Sequence, residues 1–436
     1  MGKSRWVWVA VCALAAASSP AAAQTASNGL LGDAGGVRTA LGKYGVTLNV
    51  TDSENLLGNL SGGVKTGATL QGVTTFVMEV DTGKAFGLAG GTLHISALDL
   101  HGRPISGPYL DDLQAANGNE GEDGARLWEL WYDQSSAGGK VDFKIGQQSI
   151  DNEFMVSQYS GLFVNTMAGW PLIPSADLYG GGPAYPLASP GARIQVKPAG
   201  NATILAGVFD DNPGGGGFAD DAQALDRDGG RFNLNTGALF ISELQVTGNA
   251  PAMFQHGPAL PGTYKIGFWV DTGSFPDQRF DTDGVALADP DSNGIPAQRH
   301  GNDSVYGVVD QTIWQSAADT SRNVNIFGRI MGAPSDRNLV DFSFNGGMTL
   351  AAPLPGRDND NTGIDFGVGH VGSRAGAHGT ETLIELTYQA QVTPWLTLQP
   401  DLQYVANPGA GVADPDAPVR NLRNEVVAGV RVVGTF

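Results

Sequence analysis

Glu129, Trp131, Trp170, Arg193 and Lys197 are the side chains of this 436-residue chain best suited to holding a polyhydroxylated solute. An indole offers a flat apolar face to the C–H side of a ring compound. Carboxylate, guanidinium and ammonium groups make charge-assisted hydrogen bonds to hydroxyls. An opposed pair such as Glu129 and Arg193 is equally what any water-filled wall carries. Covalent chemistry finds no support, because the chain contains neither Gly-x-Ser-x-Gly nor His-Glu-x-x-His and its six histidines are scattered. No catalytic residue, cofactor or metal site is expected. Asp289-Pro-Asp291-Ser-Asn293-Gly294 opens like a calcium loop, and Asp358-Asn-Asp360-Asn-Thr362-Gly363 does so more loosely. His300 and Gly369 stand where the bidentate Glu of an EF-hand belongs, and Asp, Asn and Gly also make plain turns. A weak divalent site bridging lipopolysaccharide is the alternative for these loops.

The elements that must carry these side chains read as strands. Val141, Phe143 and Ile145 alternate with Asp142 and Lys144, and Ile194 and Val196 alternate with Arg193, Gln195 and Lys197. Tyr264, Ile266, Phe268 and Val270 alternate with Lys265, Trp269 and Asp271, which is the period of a strand with one apolar and one polar face. Sixteen such segments are expected, at 44–53, 69–81, 90–100, 125–134, 140–148, 191–197, 202–210, 237–247, 262–271, 303–314, 323–332, 338–350, 362–371, 380–393, 395–405 and 425–436. Short connections follow most even-numbered strands, and long ones (101–124, 149–190, 211–236, 272–302, 406–424) follow most odd-numbered strands. The exceptions are 333–337, short where a long one is expected, and 251–261 and 351–361, which are long. An even strand count with short turns at one end and long loops at the other is the pattern of an all-β transmembrane antiparallel barrel. The strand Val426 to Phe436 ends the chain on an aromatic residue, with Val426, Ala428, Val430, Val432 and Phe436 on one face and Arg431 on the other. Loop 149–190 is rich in Gly, Pro and aromatics (Phe154, Tyr159, Phe163, Trp170, Tyr179, Tyr185), and apolar rings need cover. Folding into the barrel as a constriction would supply it.

Composition agrees. Charged residues are 16% of the chain, and no stretch beyond the N-terminus is long and apolar enough for a spanning helix. Residues 1–23 read as a secretory signal, with Lys3 and Arg5 ahead of an apolar run and Ala21-Ala-Ala23 before the cut. Residues 24–43 read as a periplasmic lead-in, with Asp33 capping a short helix that bears Val37 and Leu41. Residues 44–436 form the barrel. Removing the signal takes Lys3, Arg5 and the lone Cys12, leaving 23 basic residues against 44 acidic, a net charge of −21. So negative a chain does not suit nucleic acid.

Several segments also resemble a known family, the carbohydrate-selective porins of the OprB type. Thr393-Pro-Trp-Leu-Thr-Leu-Gln-Pro-Asp-Leu-Gln-Tyr404 with Asn407-Pro-Gly409 is similar to the family's C-terminal motif. So are Leu127-Trp-Glu-Leu-Trp-Tyr-Asp-Gln134, Gly180-Gly-Gly-Pro-Ala-Tyr-Pro186, Gly262-Thr-Tyr-Lys-Ile-Gly-Phe-Trp269 and Pro353-Leu-Pro-Gly-Arg357 to theirs. Near the N-terminus, 30–45 departs slightly, with Ala34 where the family usually has an aromatic residue. The resemblance implies a bacterial outer-membrane porin for passive, selective diffusion of monosaccharides such as glucose. Sugars, outer-membrane lipids and lipopolysaccharide would be its partners, as a monomer or homotrimer. The resemblance also implies a narrow zone combining Arg, Glu and an aromatic gate. Two other readings stand beside it: a general diffusion porin for small organic acids or cations, and an outer-membrane barrel hydrolase.

Overall fold

The structure of the protein is a computed structural model that describes residues 29–249, 260–373 and 379–436. The expected signal, and nearly all of the connection expected at 251–261, lie outside the described residues. The strands are β1 (Val46–Ser61), β2 (Gly67–Asp81), β3 (Gly91–Gly102), β4 (Gly124–Ser135), β5 (Val141–Gln148) and β6 (Ser189–Ala199). Then come β7 (Ala202–Asp210), β8 (Ala238–Asn249), β9 (Pro261–Asp281), β10 (Pro296–Gln315), β11 (Asn323–Gly332) and β12 (Val340–Ala351). The last are β13 (Asn361–Val371), β14 (Gly379–Thr393), β15 (Leu396–Ala406), β16 (Ala413–Asp414), β17 (Ala417–Asn421) and β18 (Glu425–Thr435). Sixteen of them close into one antiparallel barrel in chain order, sealed where β18 pairs with β1. β16 and β17 form a separate hairpin. No helix of the described residues is long and apolar enough to cross a membrane.

Each expected strand has its counterpart. Alternation places Phe143, Ile145, Ile194, Ile266 and Phe268 on the exposed outer surface, while Lys144, Arg193, Trp269 and Asp271 are buried within. A closed barrel is what allows this: the strands pair all the way round, so no edge is left open in an apolar medium. One outward stretch departs from the rule. Asp52 and Glu54 share the outward row of Leu56. Thr74 Oγ1 donates to Asp52 Oδ1 at 2.7 Å, and His101 Nε2 lies 2.5 Å from Glu54 Oε1, which offsets part of the cost of carboxylates there.

Strand lengths differ from expectation at one end only. β1 runs on to Ser61, β9 to Asp281 and β10 starts at Pro296, so most of the expected connection 272–302 is strand. In β9 the extension reads Pro276-Asp-Gln-Arg-Phe-Asp281, with polar side chains on successive positions, so period 2 is lost there although the backbone ladder continues. Long connections (103–123, 149–188, 211–237, 282–295, 407–424) leave one rim and short ones (136–140, 200–201, 316–322, 394–395) the other. Gly138 and Gly139 give the 136–140 turn its positive φ angles, 88° and 63°.

The lead-in helix spans Val37–Gly42 with Gly36, not Asp33, at its N-cap. Asp33 instead accepts from Thr39 N at 2.8 Å. Leu30 N donates to Thr435 O at 2.8 Å and Arg38 donates to the Phe436 carbonyl, pinning this segment to the chain's end.

Candidate functional site

The lumen is crossed by residues 149–188, which leave β5 and reach the opposite wall before returning to β6. What holds them is a set of inward carboxylates accepting loop N–H groups. Glu243 on β8 accepts from Met155 N at 2.8 Å, and Asp310 on β10 from Ser157 Oγ at 2.6 Å and Gln158 N at 3.0 Å. Glu385 on β14 accepts from Val164 N at 2.5 Å and Asn165 N at 3.2 Å. Arg329 on β11 serves the carbonyls, donating to Gly169 O at 2.7 Å and to Met167 O. A buried carboxylate or loop amide is costly unless paired, so each bond answers two needs at once. From within the loop, Asp177 accepts from Leu339 N at 2.9 Å, and burial pushes its carboxyl well above the usual aspartate range. The neighbouring loop 103–123 joins in, with Glu381 accepting from Leu113 N and Gln114 N at 2.8 and 2.9 Å.

Beneath the start of this loop lies a charged wall. Strand register sets Asp133 beside Lys144 and Lys144 beside Arg193, and all three side chains point inward. Arg193 is 5% exposed. Its Nε and Nη2 reach Glu153 of the loop at 2.6 and 3.0 Å, its Nη2 reaches Asp133 at 3.1 Å, and its Nη1 meets Asp142. Lys144 also pairs with Glu153. Burial pushes the Glu153 carboxyl up, but the Lys144 ammonium and the Arg193 guanidinium outweigh it and hold the group below the usual glutamate range. One strand pair along, Glu129 accepts from Ser149 N at 3.1 Å and from the Trp131 indole N–H at 3.3 Å. Trp131 stacks on His94 with centroids 4.4 Å apart and planes 3° apart, and Lys144 Nζ sits 4.2 Å from the indole ring centroid.

Of the five side chains expected to act together, Glu129, Trp131 and Arg193 share this wall. Lys197 faces the same way on β6 but lies nearer the 200–201 turn, where it is exposed. Trp170 is elsewhere: 7% exposed, its indole N–H donates to Gly181 O at 2.8 Å and it packs in an apolar cluster with Ile173, Leu178 and Trp269. Glu153, Lys144 and His94 complete the wall. Lys144 and His94 follow from register, as cross-strand neighbours of Arg193 and Trp131. Nothing in the sequence signals Glu153. Among the acidic loops, the Asp289 carboxylate accepts from Asp291 N within its own turn, and Asp360 is spent on Arg357, Tyr388 and Gln391.

The sequence pattern of the carbohydrate-selective porin, OprB family, matches residues 65–436. The chain belongs to that family. It is 24% identical to Porin B of Pseudomonas aeruginosa, with 94% of this chain and 92% of that protein aligned. It is 25% identical to the putative porin QuiX of Acinetobacter baylyi, over 89% and 90% of the two chains. The high-pH structure of Pseudomonas putida OprB shares its fold, with a TM-score of 0.79 and 20% identity over 94% of this chain and 98% of that one. This carbohydrate-selective porin is thus an outer-membrane channel rather than an enzyme. Its apolar outer surface faces the bilayer and its polar wall faces the lumen.

Proposed function

We propose that this porin passes monosaccharides, glucose foremost, by passive diffusion through a path that residues 149–188 narrow. The observation that carries the reading is the wall of Glu129, Trp131, Lys144 and Arg193 beneath a loop bonded to β8, β10, β11 and β14, among other strands of the barrel. A loop so anchored restricts the lumen, and paired charges offer sugar hydroxyls donors and acceptors without a free ion to trap them. Such binding selects yet releases. Trp131 is 5% exposed, with its ring stacked on His94 and beneath Lys144 Nζ, so in this state little of it is open to a solute. Each barrel would carry its own path, alone or in a homotrimer, with outer-membrane lipid and lipopolysaccharide around it. Liposome swelling tests the reading. Glucose should enter faster than a disaccharide and faster than an uncharged polyol of glucose size. Equal rates for glucose and the polyol would count against it.

A further inference from the structure

Where loop 211–237 returns to the wall, two buried carboxylates meet, with a third beside them and no positive group among them. Asp210 ends β7, Asp211 begins the loop, and Asp271 faces them from β9. Asp211 and Asp271 are 1% and 0% exposed. One oxygen of each is satisfied: Asp211 Oδ1 accepts from Thr236 Oγ1 at 2.7 Å and Gly237 N at 2.8 Å, and Asp271 Oδ1 accepts from Gly273 N at 2.7 Å. The other oxygen of each, Oδ2, is sealed from solvent and has no hydrogen-bond partner. The two carboxyl groups lie within hydrogen-bonding reach of each other, and the charges nearest Asp271 are those of Asp211 and Asp210. Two glycines make the room. A Cβ on Gly237 or Gly273 would stand 2.3 or 2.6 Å from Asp211 Oδ2. Asp210 accepts from Asn212 N and from the Asn233 amide, and remains a third negative group at the edge.

Buried carboxylates at such range cannot all be ionised unless something positive lies between them. A single shared proton would still leave the group negative beside Asp210. The donor set is oxygen only, which suits a hard cation. We propose that Asp211 and Asp271 bind a hard divalent cation, calcium in the test below, through their unpartnered Oδ2 atoms. The ion clamps loop 211–237 to β9. It also braces the crossing loop, because Tyr179 packs against Gly273, donates to the Ser274 carbonyl, and contacts Phe218 and Phe275 at 5.3 Å each.

The test uses the full barrel in detergent, stripped with a chelator, then titrated with Ca²⁺ by calorimetry. Wild type should bind one more Ca²⁺ per chain than Asp211→Asn or Asp271→Asn, while Asp289→Asn, in the exposed 282–295 loop, keeps the wild-type count. Ca²⁺ should raise the thermal midpoint of wild type and leave that of the two site variants unmoved. Heat-modifiable gel mobility reports whether each variant has folded. The wild-type barrel alone gives a second reading: Tb³⁺ excited through tyrosine should emit when bound and be displaced by Ca²⁺. Site variants that keep the wild-type isotherm, or a wild type with no Ca²⁺-displaceable Tb³⁺, would overturn the proposal and leave a proton shared between the two aspartates.

Discussion

Arg193 holds Glu153 by a two-pronged contact, Nε to Oε2 at 2.6 Å and Nη2 to Oε1 at 3.0 Å, and so fastens the crossing loop to the strand that follows it. The same guanidinium also bonds Asp133 and Asp142, so one side chain serves three acids. Arg193→Ala should therefore take a cationic partner from three carboxylates and cost about 3–5 kcal/mol, the scale for breaking a buried ion pair. Arg193→Lys keeps the charge but loses the fork and should fall between. The thermal midpoint of the folded barrel, read by gel mobility, checks the order; a lysine variant as unstable as the alanine variant would contradict it.

Acid should loosen this attachment. The Glu153 carboxyl is held below the usual glutamate range in the folded protein, so the folded state binds the proton less readily than the unfolded chain. Its contribution is full above the ordinary glutamate value of about 4.3 and is lost as pH falls from there through the depressed folded value. Wild type should thus be more stable than Glu153→Gln at pH 7, and the gap should close toward pH 3. A gap independent of pH would refute the ion-pair account.

Glu385→Gln removes one of the two acceptor oxygens that receive Val164 N and Asn165 N. Leaving a buried amide without its acceptor costs about 1–3 kcal/mol. The loop should stay in place but shift more often, so single-channel recordings should show larger and noisier conductance than wild type. Unchanged current would mean that this bond does not control the narrow zone.

The lumen should favour small cations. The chain carries 25 Lys+Arg against 44 Asp+Glu, and several of the basic groups facing inward, Lys144, Arg193 and Arg329, are engaged by acids or loop carbonyls. A reversal potential in a potassium chloride gradient should report potassium over chloride. Equal or greater chloride permeability would show that the lumen arginines reverse the field locally.

The wall was legible in the sequence because β5 and β6 each have one apolar and one polar row. Val141, Phe143 and Ile145 announce their side, and the register that follows brings Lys144 to Arg193. Parity gives the face but not the height, which is why Lys197 reads as a companion of Arg193 yet sits near the short turn. A loop aromatic is harder still: lining a path and packing beneath a loop call for the same residue type, and Trp170 packs. The bonds that hold the crossing loop join residues such as Val164 and Glu385, 221 apart in the chain, and leave no local pattern.

The most direct test of sugar passage past this wall is the ion current through single purified barrels in a planar bilayer, titrated with glucose. Saturable reduction of the current by glucose, absent with a polyol of similar size and weakened in Trp131→Ala, is the predicted result. A current that falls only in step with the bulk conductivity of the solution would contradict a sugar site and leave a sieve.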